Sequence, residues 1–240
     1  MGENKEGAGS LKVTGIDVSF LEDGKIFDFW YDKMPVSRRQ KIDLVKPLKG
    51  KLLSLGAGIL FTEGLKKLGL EGAEIGLLEN KKPYIIGADG LYFNLSHSGG
   101  MAVCAFSDSE VGIDIEKNKE FKDSLVDYVF DDREKEFVSR LSDDDNKRNA
   151  LFTSIWTMKE SIMKFTGKGI SMVPKSIFVD LSAADNMGDM SVAAIYHNGK
   201  LIPELKLSTL RIPANPDYQV CVCSKYALSS RDIEMFDHRS

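Results

Sequence analysis

No run of about 18 apolar residues occurs in the 240-residue chain, so the sequence predicts nothing that crosses a membrane. The first ten residues are polar and lack the apolar core of a secretory signal. A myristoylation pattern opened by Gly2 fails at Glu6, where serine or threonine is required. Cysteine is scarce. Cys104, Cys221 and Cys223 are odd in number and show no metal-ligand spacing, which predicts reduced thiols packed as small hydrophobes in a cytoplasmic protein. Basic excess is missing too: 32 Lys and Arg against 36 Asp and Glu give a net charge of −4. That balance argues against a nucleic-acid partner but leaves room for a local basic pocket. No internal repeat is visible.

What is present is ordinary for a globular protein, with 42% hydrophobic and 28% charged residues. Residues 1–10 read as a disordered tail. Leu11 to Val18 and Lys25 to Trp30 read as strands, and Pro35 to Gln40 opens a basic stretch. Lys51 to Leu70 reads as a helix ending near Gly69. Leu91 to Ser96 is a strand running into a His97–Gly100 loop, and Met101–Phe106 with Val111–Glu116 reads as the clearest hairpin. Helices follow at Phe121–Val129, Asp132–Leu141 and Lys147–Thr166, the last capped by the acids of Asp143–Asn146. Strand-like segments fill Ser176–Leu181, Met190–Tyr196, Glu204–Ile212 and Tyr218–Lys225. Without a regular βαβ rhythm, this order predicts an α+β fold.

Three segments could carry chemistry. In Val111-Gly-Ile-Asp-Ile-Glu116, Asp114 and Glu116 share a strand face about 6.5 Å apart, beside the bare Gly112. A hard cation such as Mg²⁺ would relieve their repulsion, although a solvated acidic face would look the same. On the helix 151–166, Leu151, Ile155, Met158, Ile162 and Phe165 form a core stripe. Trp156, Glu160 and Lys164 form a second stripe at i, i+4, i+8, flanked by Lys159, and a plain Glu–Lys ion pair would also fit it. Gly167 suits the helix C-cap. Phe93-Asn-Leu-Ser-His-Ser-Gly-Gly100 offers hydroxyls, an imidazole and free N–H groups to a phosphate, or serves only as a turn.

Taken with Lys82-Pro83 and Gly167-Lys168-Gly169, these segments resemble, in order and interval, the 4′-phosphopantetheinyl transferases of the surfactin-synthetase-activating type. The likeness is strong from about residue 81 to 170. It implies transfer of 4′-phosphopantetheine from coenzyme A to a carrier-protein serine, with release of adenosine 3′,5′-bisphosphate. Asp114, Glu116 and Glu160 would hold Mg²⁺, Glu160 would take the serine proton, and Lys164 would stabilise the departing oxygen. Ser96, His97 and Lys159 would hold phosphate, and Lys82 the adenine side of coenzyme A. Arg38, Arg39, Lys41, Lys51 and Ser54 are candidates for gripping the 3′-phosphate, and Glu134 aligns near the metal. The resemblance implies a monomer of two similar α+β halves related by a pseudo-twofold, 11–118 and 119–240, with coenzyme A between them. Phe165, Ile170, Met172 and Val173 beside Lys168 are expected to offer an apolar docking surface to the carrier. The rival readings are another Mg²⁺-dependent nucleotide or diphosphate enzyme and a non-catalytic coenzyme A-binding module.

Overall fold

The fold is read from a computed structural model that describes residues 10–184, 190–213, 215–228 and 230–239. The tail expected over 1–10 lies outside the described residues except for its last position. The chain begins with β1 (Leu11–Asp17), α1 (Gly24–Asp32), α2 (Val36–Asp43) and the long α3 (Leu48–Lys67). A small hairpin, β2 (Ile75–Leu77) and β3 (Pro83–Ile85), leads to β4 (Tyr92–Ser98) and β5 (Met101–Ser107). Then follow β6 (Val111–Lys117), α4 (Asp123–Val129), α5 (Asp132–Leu141) and α6 (Asp145–Thr166). A three-stranded patch of β7 (Ile177–Asp180), β8 (Ala194–His197) and β9 (Lys200–Leu201) precedes β10 (Lys206–Leu210), β11 (Tyr218–Ser224) and the short β12 (Glu234–Met235). This is the mixed α+β class that the sequence predicts. No helix among the described residues is long and apolar enough to cross a membrane.

Two sheets carry the architecture. One has the order β12-β1-β5-β4 and the other β10-β11-β6. Side-chain alternation decides what each face meets. On β5, Ala102, Cys104 and Phe106 point to the core beneath α3, whereas Met101, Val103 and Ala105 join Val111, Ile113 and Ile115 of β6 and Val220 and Val222 of β11 between the sheets. The other face of β11, Cys221 and Cys223, packs with the apolar stripe of α6, Ile155, Met158 and Ile162. All three cysteines are buried free thiols whose pKa values are pushed up by that burial. The layers therefore run helix, sheet, sheet, helix.

Two readings of the sequence are corrected here. Residues 25–30 form a helix, α1, because the Asp23 carboxylate caps it by accepting from the Lys25 and Ile26 N–H groups. Its Ile26, Phe27, Trp30 and Tyr31 then share one helical face against the core. The strands at 101–106 and 111–116 exist but do not pair with each other. β5 is buried at all seven residues and takes β1 and β4 on its two edges, while β6 pairs with β11. The hairpin is β4–β5, closed by Gly99 and Gly100, with Gly99 at φ 62°, a left-handed turn position that glycine adopts at no steric cost.

β6 is the edge of its sheet, so its outward N–H groups need acceptors. Side chains of β4 supply them: the Ile113 amide donates to Asn94 Oδ1 at 3.0 Å and the Lys117 amide to Ser98 Oγ at 3.1 Å. The C-terminal residues pack against the first sheet and α1. β12 lies parallel to β1, Phe236 meets the Trp30 ring edge-on, and His238 stacks on Phe20.

Gly112 sets how closely α6 approaches β6. A Cβ there would lie 2.1 Å from the Ser161 carbonyl oxygen and 2.4 Å from the Phe165 nitrogen, both backbone atoms that cannot rotate away. Gly112→Ala is expected to destabilise the fold by about 1–3 kcal/mol, the usual cost of overpacking, as urea denaturation would register. An unchanged midpoint would show that the helix can slide without penalty.

Candidate active site

β6 turns Gly112, Asp114 and Glu116 toward α6, whose Trp156, Glu160 and Lys164 come round on one face at every fourth residue. α6 starts where the Asp144 carboxylate accepts from the Lys147 amide and ends at Gly167, in the left-handed region at φ 67°. The cluster is thus held by a capped helix, a buried strand and the adjoining β4.

Asp114 is buried. Its Oδ1 accepts from Lys164 Nζ at 2.6 Å and from Ser96 Oγ at 2.8 Å, and Lys164 also donates to Ser96 Oγ. Its Oδ2 is buried with no hydrogen-bond partner among the described residues. Burial pushes the Asp114 carboxyl above the usual carboxylate range, while Lys164 and Ser96 pull it back. Glu116 accepts at Oε1 from Trp156 Nε1 and Lys119 Nζ, both at 3.1 Å, and at Oε2 from Ser98 Oγ at 2.9 Å. Glu160 is half-buried. Burial first, then the charges of Asp114 and Glu116, push its carboxyl up as well.

Trp156, in the same stripe as Glu160 and Lys164, is half-buried, and its indole N–H orients Glu116. Ser98, expected only as one of the hydroxyls that face a phosphate, bonds Glu116 instead, and Lys119 and Asn94, which holds the Ile113 amide of β6, were missed. The signal available for Asn94 and Ser98 is their period-two spacing with Ser96, which puts all three on one face of β4.

The basic side of the cleft is made by His97, Lys164 and Arg38. His97 is exposed, and its pKa is lowered by a partly desolvated setting and by the neighbouring Lys164 and Arg38 cations. Arg38 reaches from α2 across Gly58 of α3 to donate to the Ser54 carbonyl, and its buried Nε has no partner among the described residues. Lys51 stands half-buried on the same helix as Ser54. Ser54 thus enters through its backbone, as an anchor for Arg38.

Two expected phosphate or coenzyme ligands are placed otherwise. Lys159 is fully buried and turned away from the acids. Its ammonium lies 2.6 Å from Glu134 and donates to the carbonyls of Val129 and Pro174, so no donor remains for a phosphate. One helical step from Glu160 rotates a side chain by about 100°, which carries Lys159 to the α5 side. Glu134 is likewise taken up, accepting also from the Val179 and Asp131 amides, and does not approach the acids. Lys82 is buried, with its ammonium shared between Glu110 and the Phe165 carbonyl at the end of α6. Among the expected docking residues Met172 is core, Val173 is exposed, Phe165 is half-buried, and the side chain of Ile170 lies outside the described residues.

Among the described residues no group of three or more acid, histidine or cysteine side chains is arranged to hold a metal ion by itself. The donor chemistry nevertheless suits a hard dication: all three acids offer oxygen, and Asp114 Oδ2 is an orphan. Mg²⁺ commonly takes only one or two carboxylates and completes its shell with water and substrate phosphates. Beyond Lys119 a cavity of about 660 Å³ opens, lined in part by Phe121, Arg148, Phe152 and Asp217.

Residues 110–223 match the model of the 4′-phosphopantetheinyl transferase superfamily. The chain is 31% identical to the 4′-phosphopantetheinyl transferase psf-1 of Bacillus pumilus over 65% of its own length and 62% of that protein. It is 29% identical to the 4′-phosphopantetheinyl transferase Sfp of Bacillus subtilis (strain 168), over 67% of this chain and 66% of Sfp. With the 4′-phosphopantetheinyl transferase ffp of Bacillus subtilis it shares 30% identity, over 68% and 67% of the two chains. The matched stretch thus spans a little under two thirds of the first two relatives.

Proposed function

This chain belongs to the 4′-phosphopantetheinyl transferase superfamily, and we propose that it moves phosphopantetheine from coenzyme A to a serine of an acyl or peptidyl carrier protein in a Mg²⁺-dependent phosphoryl transfer. The observation that carries this reading is the meeting of Asp114, Glu116 and Glu160 with a side made by Lys164, Arg38 and the imidazole of His97.

Mg²⁺, held by Asp114, Glu116 and Glu160, would supply charge neutralisation at the coenzyme A diphosphate. Arg38 supplies the cation and His97 an imidazole N–H for the 3′-phosphate, with Lys51 on α3 beside Ser54. Ser96 spends its one proton on Asp114 Oδ1 while accepting from Lys164, so its part is to hold these two side chains in place beside the phosphates. Glu160 takes the proton of the carrier serine. The serine oxygen forms the new bond to the phosphorus that carries pantetheine as that phosphorus loses its bond to the bridging diphosphate oxygen, which leaves on the 5′-phosphate of adenosine 3′,5′-bisphosphate with its charge stabilised by Lys164. The pantetheine arm leaves past Lys119, and the 660 Å³ cavity there is roomy enough to receive it.

The connectivity supports a pseudo-twofold origin. β1, α3, β4 and β5 give the order β1-β5-β4, and β6, α6, β10 and β11 give β6-β11-β10, both antiparallel, each with a small sheet inserted after its long helix. A division between two halves was placed at residue 118. The pairing of β6 with β11 favours drawing it earlier, in the 108–110 loop. Both acidic and basic groups come from one copy, which supports action as a monomer, and free buried thiols support a cytoplasmic location.

Intact-mass spectrometry of an apo carrier protein incubated with this protein, coenzyme A and Mg²⁺ tests the reading. The expected result is a gain of one phosphopantetheine, abolished by EDTA and restored by Mg²⁺ or Mn²⁺ rather than Zn²⁺. No mass gain on acyl and peptidyl carriers alike, with folded protein and saturating coenzyme A, would overturn it.

A further inference from the structure

At the seam between β4 and β6 one hydroxyl carries two tasks. Ser98 Oγ accepts from the Lys117 amide at 3.1 Å and donates to Glu116 Oε2 at 2.9 Å. A serine hydroxyl has a single proton. Because a lone pair is taken by the incoming N–H, that proton is free for the carboxylate, and the pair of bonds fixes where it points.

Glu116 has three donors from three directions, and they are not equivalent. Trp156 Nε1 and Lys119 Nζ both reach Oε1, so loss of either leaves that oxygen with a donor. Ser98 alone among the described residues donates to Oε2. Lys119 is moreover a flexible, partly exposed side chain, whereas Ser98 sits on a strand bonded to β5 along its whole length. Ser98 is therefore the rigid half of the clamp.

We propose that Ser98 is a positioning residue, whose hydroxyl, oriented by the Lys117 amide, locks the Glu116 carboxylate so that Oε2 keeps one acceptor position unfilled beside Asp114. The proposal rests on the reading of Asp114, Glu116 and Glu160 as the metal-holding acids. Partners that orient metal-ligating side chains commonly change metal affinity by 10–100-fold when removed, without touching the metal themselves. A residue with only a seam-closing task, satisfying the Lys117 amide at a sheet edge, would change stability and leave ion affinity alone.

The test compares wild type, Ser98→Ala and Ser98→Thr, the last retaining the hydroxyl on a β-branched side chain suited to a strand. Mn²⁺ affinity is measured by electron paramagnetic resonance of the free ion in the presence of coenzyme A. The Mg²⁺ activation constant, the KM for the carrier protein and the melting temperature are measured in parallel. Ser98→Ala is expected to weaken Mn²⁺ binding about 10-fold and to raise the Mg²⁺ activation constant similarly. Carrier KM should be unchanged, the melting temperature should stay within about 4 °C of wild type, and Ser98→Thr should restore the ion constants. Unchanged Mn²⁺ affinity in Ser98→Ala, a defect that threonine does not rescue, or a loss explained by a collapsed melting temperature would each overturn the proposal. If wild type transfers nothing to any carrier, the functional reading falls while the Mn²⁺ comparison still judges Ser98. If wild type binds no Mn²⁺, the metal reading and the proposal fall together.

Discussion

Asp114→Asn is expected to lower the rate of phosphopantetheine transfer on the order of 10³-fold, about 4 kcal/mol of transition-state stabilisation. The substitution is close to isosteric. An asparagine Oδ1 can still accept from Ser96 and Lys164, as Asp114 Oδ1 does at 2.8 and 2.6 Å. What disappears is the negative charge and the acceptor at the orphaned Oδ2. The fold should not suffer. Burial raises the Asp114 carboxyl above its unfolded value, and a group of that kind stabilises the folded state below its unfolded pKa and loses this as pH rises through the folded one. At neutral pH the charged side chain is therefore a cost to folding that asparagine removes. The expected melting temperature of Asp114→Asn at pH 7 is equal to or above that of wild type, with activity nearly gone, a trade-off common at functional sites. Circular dichroism melts beside the mass-spectrometric transfer assay check both halves. Near-normal turnover at saturating Mg²⁺ would remove Asp114 from the metal set, and a lowered melting temperature would mean that its charge is part of the structural core.

The acids and Lys164 were legible because their chemistry is local in sequence. Alternation along 111–116 fixes which β6 residues share a face, and the fourfold spacing of 156, 160 and 164 fixes the helix face opposite, so the family likeness only had to bring two readable elements together. Pairing was not local. β5 and β6 both read as strands, yet nothing in Met101–Phe106 or Val111–Glu116 says that β6 will choose β11 over its chain neighbour. The apolar character of both faces of β5, which demands partners on two edges, was the available hint. The α1 error arose because apolar residues of Lys25–Trp30 fit two periods equally well over so short a run, and the Asp23 cap decided between them. Lys82 carried a family role in the sequence, but Glu110 and the end of α6 already hold its ammonium. Ser98 was read as a hydroxyl for a phosphate because the sequence does not show that Glu116 of β6 lies against it.

Lys159→Met is expected to destabilise the fold by about 3–5 kcal/mol, the cost of leaving one member of a buried ion pair unpaired. Both side chains are fully buried, at 2.6 Å from each other. The pair joins α6 to the first turn of α5, where Glu134 also accepts from the Asp131 amide, and to β7 through the Val179 amide. Methionine fills much the same volume as the lysine stem, so packing changes little and the loss is chiefly that of the cation. Burial already pushes the Glu134 carboxyl up, opposed by Lys159. Without the lysine its folded pKa climbs further above the unfolded one, so the variant's stability is greatest in acid and is lost as pH rises. The deficit relative to wild type should accordingly be smaller at about pH 5 than at about pH 8. Lys159→Met combined with Glu134→Gln should cost much less than the sum of the two single changes, because no uncompensated charge remains in the interior. Urea denaturation at both pH values measures each quantity. A single-variant loss below about 1 kcal/mol, a deficit that grows toward acid, or strict additivity in the double variant would show that this ion pair does not anchor α6 as its burial implies.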